Sequence, residues 1–265
     1  MSESAASKIQ DIKRKLLKLG VEEKPEAAIV LGSGLGGFSS AIENKITIPY
    51  SEIPHFPSPS VTGHSGELIY GSVFNKPVLA FSGRFHHYEG HDFETTILPV
   101  AVTSALYAKK LIISNAAGAI NRSFQVGDLM VINDIIRPFI GISPVSSDKF
   151  QYNHYETAQK IPKIAAELGI FVRTGTYLYA KGPNYETKAE IRSFRILNAD
   201  VVGMSTVPEL IEAARLNLKT AAVSLVTNMA AGVLKQKLSH EEVKFTAESR
   251  KEDFAKLVSA LVLNL

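Results

Sequence analysis

The chain has 265 residues, of which 45% are hydrophobic and 21% charged, a composition typical of a globular protein with a substantial core. Its net charge of +3 is small and no basic run exceeds Lys13–Lys15, so the charge does not indicate nucleic-acid binding. The absence of cysteine excludes disulfides, thiolate metal sites and cysteine nucleophiles. No apolar run approaches the ~20 residues needed to span a bilayer, and the polar first residues do not resemble a signal peptide. We therefore expect a cytoplasmic protein with no membrane partner.

Helices and strands alternate along the chain. The spacing of Ile9, Ile12, Leu16 and Leu19 predicts an amphipathic helix over residues 7–19, closed by Gly20. Short apolar runs predict strands at 27–31, 111–114, 129–132, 176–179 and 221–226. Residues 68–83 predict two further short strands, which the turn at 75–77 separates. Further helices are predicted around 101–108 and over 156–168, 187–198, 208–218 and 240–264, with an irregular segment at 135–155. This order predicts one α/β domain over residues 1–265, with a mostly parallel, mixed central sheet flanked by helices.

A glycine loop follows the first predicted strand. Gly32, Gly34 and Gly37 satisfy G-x-G-x-x-G, and Glu52 lies twenty residues beyond Gly32, so a nicotinamide-dependent oxidoreductase is one hypothesis. Ser33 supports another, because its hydroxyl and the loop's backbone N–H groups could hold a compact anion at a helix N-terminus. No Lys-Ser/Thr follows the glycines, which excludes an ATP-type P-loop.

The segment Ser82–His91 contains three of the seven histidines and follows an apolar strand. His87 and His91 are four residues apart, a spacing that suits a metal on a helix. Gly90 lies between them, however, and the chain has no His-Glu-x-x-His pattern, so we expect no metal site. Two interpretations remain, namely histidines satisfied by the backbone and an anion site.

The anion interpretation depends on neighbouring cations and donors. Arg84 presents a planar fork that suits phosphate oxygens, His86 can add a hydrogen bond or a proton, and His64 is a further candidate. Polar and small residues also follow the other predicted strands, at 115–119, 181–186, 203–206 and 227–228. Open α/β sheets bind ligands at the carboxyl ends of their strands. Together these positions offer anion binders, an aromatic ring, one carboxylate and one amide.

Seven motifs occur in the order seen in the trimeric purine nucleoside phosphorylases, which the chain resembles from about residue 25 to its end. They are Gly32–Gly37, Gly63–His64, Gly83–Gly90, Asn115–Gly118, Gly182–Thr187, Gly203–Glu209 and Thr227–Asn228. The resemblance implies phosphorolysis of inosine, guanosine and their deoxy analogues to the free base and (deoxy)ribose 1-phosphate. It also implies a phosphorylase/hydrolase-like fold, a homotrimer, a role in purine salvage, and phosphate as co-substrate with no cofactor.

The same resemblance implies roles for individual residues. The phosphate ligands would be Ser33, His64, Arg84, His86, the Ala116 amide and Ser205. Tyr88 and Met204 would contact the ribose, and His240 would contact the ribose 5′-hydroxyl. Tyr185 would stack on the purine. Glu186 would accept a hydrogen bond from the N–H edge of the purine, and Asn228 would hydrogen-bond to the purine near N7 and the 6-oxygen. His86, Glu186 and Asn228 would be the catalytic residues.

Asn228 also predicts substrate preference. The methylthioadenosine phosphorylases, our alternative within the same superfamily, have aspartate at the matching position, which suits a 6-amino purine. Asparagine can donate to a 6-oxo group, so we expect inosine and guanosine to be substrates and adenosine to be a poor one.

Two departures from the family pattern stand out. The segment between Pro138 and Glu156 is shorter than usual, and only Phe150 or Tyr152 could replace the phenylalanine that reaches the neighbouring subunit's ribose pocket. Tyr185 stands where the family usually has phenylalanine. Among other classes of function, an oxidoreductase would leave Arg84 and Glu186 unexplained, and the phosphate ligands disfavour a non-catalytic nucleoside-binding protein.

Overall fold

A computed structural model describes residues 3–58, 65–138, 155–234 and 240–265, with side chains described over 5–58, 65–138, 156–234 and 245–265. The helices are α1 (Glu3–Lys18), α2 (Phe93–Thr96), α3 (Leu98–Ala105), α4 (Tyr155–Glu167), α5 (Lys188–Ile196), α6 (Val207–Arg215) and α7 (His240–Asn264). The strands are β1 (Ala27–Leu31), β2 (Glu43–Pro49), β3 (Glu67–Val73), β4 (Lys76–Ser82), β5 (Lys110–Ala119), β6 (Leu129–Ile136), β7 (Val172–Tyr179), β8 (Val201–Gly203) and β9 (Lys219–Met229). Short 3₁₀ helices occupy Gly36–Ala41, Tyr50–Glu52 and His87–Glu89.

The strands form one mixed sheet in the order β2-β3-β4-β1-β5-β8-β7-β6-β9. Since β5 also pairs with β9, the strands β5, β8, β7, β6 and β9 close into a ring. Most pairings are parallel, whereas β2–β3, β3–β4, β5–β8 and β6–β9 are antiparallel. Register shifts in β5 after Ala117 and in β6 after Ile132 accompany the closure, as bulges let strands bend and twist.

The long strand β5 has a different neighbour at each end of one edge. Residues 110–113 pair with β1, and Gly118 and Ala119 pair with β8. Between these pairings, residues 114–117 have no strand partner on that edge within the described part of the chain. The sheet therefore opens in the middle of β5, and Ala116 lies in this opening.

Helices cover both faces of the sheet, which confirms the predicted α/β architecture. One core cluster packs α1, α3 and α6 against one face through residues such as Ile12, Val100 and Leu210. A second cluster packs α4 and α7 against the other face through Ile161 and Leu257. Because the strands are buried on both sides, they appear in the sequence as continuous apolar runs.

The structure differs from the sequence prediction in several elements. The strand β2 was not predicted because five of its seven residues are exposed and its pattern is mostly polar, and β8 was not predicted because it has three residues. The glycine loop leads into the 3₁₀ helix Gly36–Ala41, so the α-helix N-terminus expected there is wrong. His64, Phe150 and Tyr152 lie outside the described residues. No described helix is both long and apolar enough to cross a bilayer.

Candidate active site

A cavity enclosing about 790 Å³ of empty space, its open mouth included, lies at the carboxyl ends of the strands, beside the opening in β5. Ten of the twelve predicted site residues line it: Ser33, Arg84, His86, Tyr88, Ala116, Tyr185, Glu186, Met204, Ser205 and Asn228. The other two are His64 and His240, whose side chain lies outside the described part. The lining also includes residues of the same motifs that had no predicted role, namely Ala117, Gly118, Gly203 and Thr227. Val202 and Ala230 complete it, and the sequence did not single them out.

Arg84 is the cation at one end of the cavity. Its side chain is only 2% exposed, because it leaves the end of β4 and runs beneath the loop after β8. Its Nη1 donates to Ser205 Oγ at 2.9 Å and lies 3.4 Å from Thr206 Oγ1. A buried guanidinium with hydroxyl neighbours matches the chemistry of an oxyanion site.

Thr206 connects this end of the cavity to α6. It is the N-cap residue of α6, but its side chain does not cap the helix. The hydroxyl instead accepts a hydrogen bond from Asn115 Nδ2 at 2.9 Å and faces Arg84. Its backbone has φ +73°, a conformation that is unfavourable for a β-branched residue. Strain of this kind persists where surrounding contacts hold it.

A buried tyrosine supports the same loop from below. The backbone N–H of Ser205 donates to the Tyr177 hydroxyl at 3.3 Å. A Cβ added to Gly203 would lie only 2.3 Å from that oxygen. The position before the Met204-Ser205 pair therefore has no room for a side chain.

His86 and Glu89 form a second polar pair at the cavity. The backbone N–H and the Nδ1–H of His86 both donate to Glu89 Oε1, at 2.9 and 2.8 Å. Burial lowers the pKa of His86, while the Glu89 carboxylate opposes that shift. The imidazole is therefore neutral near pH 7, with its proton on Nδ1 and its Nε2 able to accept a proton. It also stacks on Tyr88, with ring centroids 4.7 Å apart.

The remaining histidines of this segment do not line the cavity. His91 contacts the Phe85 ring edge-on, with centroids 5.7 Å apart. Within the described residues there is no cluster of three groups that could hold a metal. The structure therefore separates His86 from His87 and His91, which sequence spacing could not do.

The cavity lining also offers a carboxylate, an amide and an aromatic ring. Glu186 is partly buried, and burial raises the pKa of its carboxyl group. Tyr185, beside it, is 53% exposed at the mouth. Asn228 accepts a hydrogen bond from Thr227 Oγ1 at its Oδ1, 3.0 Å away, and donates from Nδ2 to the Met229 carbonyl at 3.3 Å. The amide orientation is thus set by contacts within β9.

Comparison with known proteins places this site in a family. Residues 26–263 match the model of the phosphorylase superfamily. The chain is 43% identical over 259 residues to purine nucleoside phosphorylase 1 of Geobacillus stearothermophilus, and the alignment covers 94% of each chain. It is 36% identical to purine nucleoside phosphorylase of Bos taurus, and that alignment covers 92% of this chain and 90% of the relative. The crystal structure of Schistosoma mansoni purine nucleoside phosphorylase in complex with inosine superposes with a TM-score of 0.86 at 34% identity, covering 98% of this chain and 96% of the other. The chain belongs to the phosphorylase superfamily and, within it, to the purine nucleoside phosphorylases.

Proposed function

We propose that the protein cleaves inosine, guanosine and their deoxy analogues with phosphate, releasing the free purine and (deoxy)ribose 1-phosphate. The observation that carries this proposal is one cavity whose lining combines the Arg84–Ser205 pair, which suits an anion, with Glu186 and Asn228, which suit a purine base. The relatives carry the name purine nucleoside phosphorylase, and related structures from Schistosoma mansoni are titled as complexes with inosine and with guanosine.

The phosphate would lie between Ser33, Arg84, His86, Ser205 and the backbone of Ala116. Arg84 supplies positive charge, and the hydroxyls of Ser33 and Ser205 supply hydrogen bonds. The opening in β5 leaves the backbone around Ala116 without a strand partner on that edge, among the described residues, so a ligand can approach it. Neutral His86 would accept the proton of a monoprotonated phosphate at Nε2, because Glu89 holds the Nδ1–H. His64 remains a predicted ligand.

The reaction would begin with lengthening of the bond between the purine N9 and the anomeric carbon. The sugar then acquires oxocarbenium character, as in glycoside hydrolysis, and the bonding electron pair moves onto the purine. A phosphate oxygen attacks the anomeric carbon and forms the new C–O bond. The proton taken by His86 passes to solvent, and the purine anion takes one proton from solvent to leave as the neutral base. The ribose would contact Tyr88 and Met204, with His240 predicted at its 5′-hydroxyl. No step of this reaction requires a cofactor, and we expect phosphate to be the co-substrate.

The departing base would be held where its negative charge develops. Asn228 would donate to N7 or the 6-oxygen, and ionised Glu186 would accept from the N–H edge, with Tyr185 stacked on the ring. Hydrogen bonds preorganised in this way are commonly worth ~3 kcal/mol each in the transition state. The contact from Thr227 supports this role, because it occupies Asn228 Oδ1 and leaves an Nδ2–H for the substrate. The same orientation disfavours methylthioadenosine, whose purine carries a 6-amino group.

One assay tests the function directly. Inosine cleavage by the protein should require phosphate and yield ribose 1-phosphate, whereas cleavage that ignores phosphate would indicate a hydrolase. Turnover of inosine, guanosine and adenosine under the same conditions tests the specificity. Adenosine turnover comparable to that of inosine would contradict the role of Asn228.

The assembly and the cellular setting remain proposals. A homotrimer of 28.8 kDa chains should elute at about 86 kDa, and a monomeric or dimeric mass would contradict it. A role in purine salvage follows from the reaction proposed, and a cytoplasmic location stays a prediction.

A further inference from the structure

The guanidinium of Arg84 has two different surroundings. Its Nη1 is bound to Ser205 at the cavity. Its Nη2 lies 3.2 Å from Glu209 Oε2. Glu209 does not line the cavity, and its side chain is only 3% exposed. Glu209 therefore contacts the arginine from behind, on the side away from the ligand space.

No other described group neutralises this part of the arginine. Nε and Nη2 of Arg84 and both carboxylate oxygens of Glu209 are buried, and within the described residues none of the four has a hydrogen-bond partner of good geometry, so the 3.2 Å contact is an ion pair. Buried charges are unfavourable unless an opposite charge lies beside them. The two side chains are thus each other's counterion, and burial raises the pKa of Glu209 while Arg84 opposes that rise.

The fold fixes Glu209 and the cavity side of Arg84 through one short segment. Ser205, Thr206 and Glu209 belong to the loop and first turn that begin α6. Pro208 in that turn restricts the backbone, and the helix N-terminus favours a carboxylate at Glu209. The same segment therefore holds both Ser205, which contacts Nη1 of Arg84, and Glu209, which contacts Nη2.

We propose that Glu209 is a positioning residue for the phosphate step, holding the guanidinium of Arg84 so that Nη1 faces the anion. This inference rests on the proposed phosphorolysis and adds a residue that touches neither substrate. It predicts an effect confined to phosphate, because Glu186 and Asn228 do not contact Glu209 or Arg84 in any hydrogen bond or ion pair described.

The test is Glu209→Gln, which keeps the volume and one acceptor but removes the charge. We expect the KM for phosphate to rise at least tenfold, with the KM for inosine changing less than about threefold. Loss of negative charge by itself would act in the opposite direction, since a nearby carboxylate repels phosphate. The direction of the change therefore separates positioning of Arg84 from simple adjustment of the local charge.

A matched control lies one turn further along α6. Glu212 is 2% exposed and bound to Arg215, with Arg215 Nε 2.7 Å from Glu212 Oε2, and neither residue lines the cavity. Glu212→Gln should leave both KM values near those of the wild type. An equal rise in the KM for phosphate in both variants would overturn the proposal, and so would an unchanged or lower value in Glu209→Gln.

Two further measurements keep the inference separate from the function. If Glu209→Gln does not fold, Glu209→Asp retains the charge with a shorter reach, and a KM for phosphate equal to that of the wild type would then overturn the proposal. Calorimetric titration with inorganic phosphate alone measures anion binding without turnover, and it should show the same weakening. A wild-type protein without phosphate-dependent cleavage would refute the proposed function, whereas an active wild type with an unaffected Glu209→Gln variant would refute only the role of Glu209.

Discussion

Replacement of Thr227 by valine should weaken the preference for 6-oxopurine nucleosides without abolishing catalysis. The hydroxyl of Thr227 donates to Asn228 Oδ1 at 3.0 Å, and Asn228 Nδ2 donates to the Met229 carbonyl at 3.3 Å. In the wild type a flipped amide would lose the bond to Met229, and Thr227 could meet its Nδ2 only as an acceptor, with the hydroxyl proton left to the Ala117 carbonyl 3.5 Å away. In the valine variant the flip costs only the bond to Met229. The flipped amide would present its oxygen to the base and would accept from a 6-amino group.

The size of the effect follows from that single hydrogen bond. A typical protein hydrogen bond contributes about 0.5–1.5 kcal/mol net, which corresponds to roughly a 2- to 12-fold change in an equilibrium. The ratio of kcat/KM for inosine to that for adenosine should therefore fall by about fivefold. Thr227 is buried and valine has nearly the same shape, so the loss of stability should not exceed the roughly 1.5 kcal/mol upper value of that hydrogen bond.

The assay is initial-rate phosphorolysis of inosine and adenosine at saturating phosphate, with thermal unfolding as a check on stability. Thr227→Ser is the matched control, because it keeps the hydroxyl and should keep the wild-type ratio. An unchanged ratio in Thr227→Val, or an equal fall in both variants, would refute the view that this hydroxyl orients Asn228.

Three further predictions concern the base site, the loop and the C-terminal helix. Burial raises the pKa of Glu186, so guanine binding measured by calorimetry should weaken as the pH falls through a midpoint above 4.5. Glu186→Gln should remove that pH dependence. A midpoint at or below 4.5 would contradict the raised pKa. Gly203→Ala should lower kcat/KM at least tenfold, because its Cβ would lie 2.3 Å from a buried tyrosine hydroxyl, and wild-type activity would show that the loop adjusts freely. In a urea titration, Lys110→Met should lower the free energy of unfolding by about 2 kcal/mol, because Lys110 Nζ donates to the Val262 carbonyl at 2.7 Å. The control Lys109→Met, at an exposed lysine, should change the free energy of unfolding by less than about 1 kcal/mol.

Much of the site could be predicted from the sequence for a simple geometric reason. Parallel strands end at a common edge, so residues at the ends of β1, β4 and β9 must lie near one another. The sequence therefore predicts that Ser33, Arg84 and Asn228, which are distant in the chain, contribute to one site. The continuous apolar strands likewise indicated a sheet covered on both faces.

Other features depend on contacts that no local pattern encodes. The pairing of β5 with β9 closes the ring, while β1 and β8 pair with opposite ends of the other edge of β5 and, among the described residues, leave Ala116 without a strand partner on that edge. The residues of these strands do not show this by themselves. The backbone of Thr206 adopts φ +73°, although a β-branched residue disfavours that conformation, because surrounding contacts hold it there.

The amino-acid sequence by itself determined the layered α/β architecture and the chemistry of the cavity, since hydrophobic periodicity and strand-end residues are local properties. Only the tertiary structure decided which groups pair inside it. Glu209 meets Arg84 only because α6 packs beside the end of β4, and burial in the assembled core is also what lowers the pKa of His86. Burial and pairing are properties of the assembled core, so a pattern along one strand or helix cannot specify them.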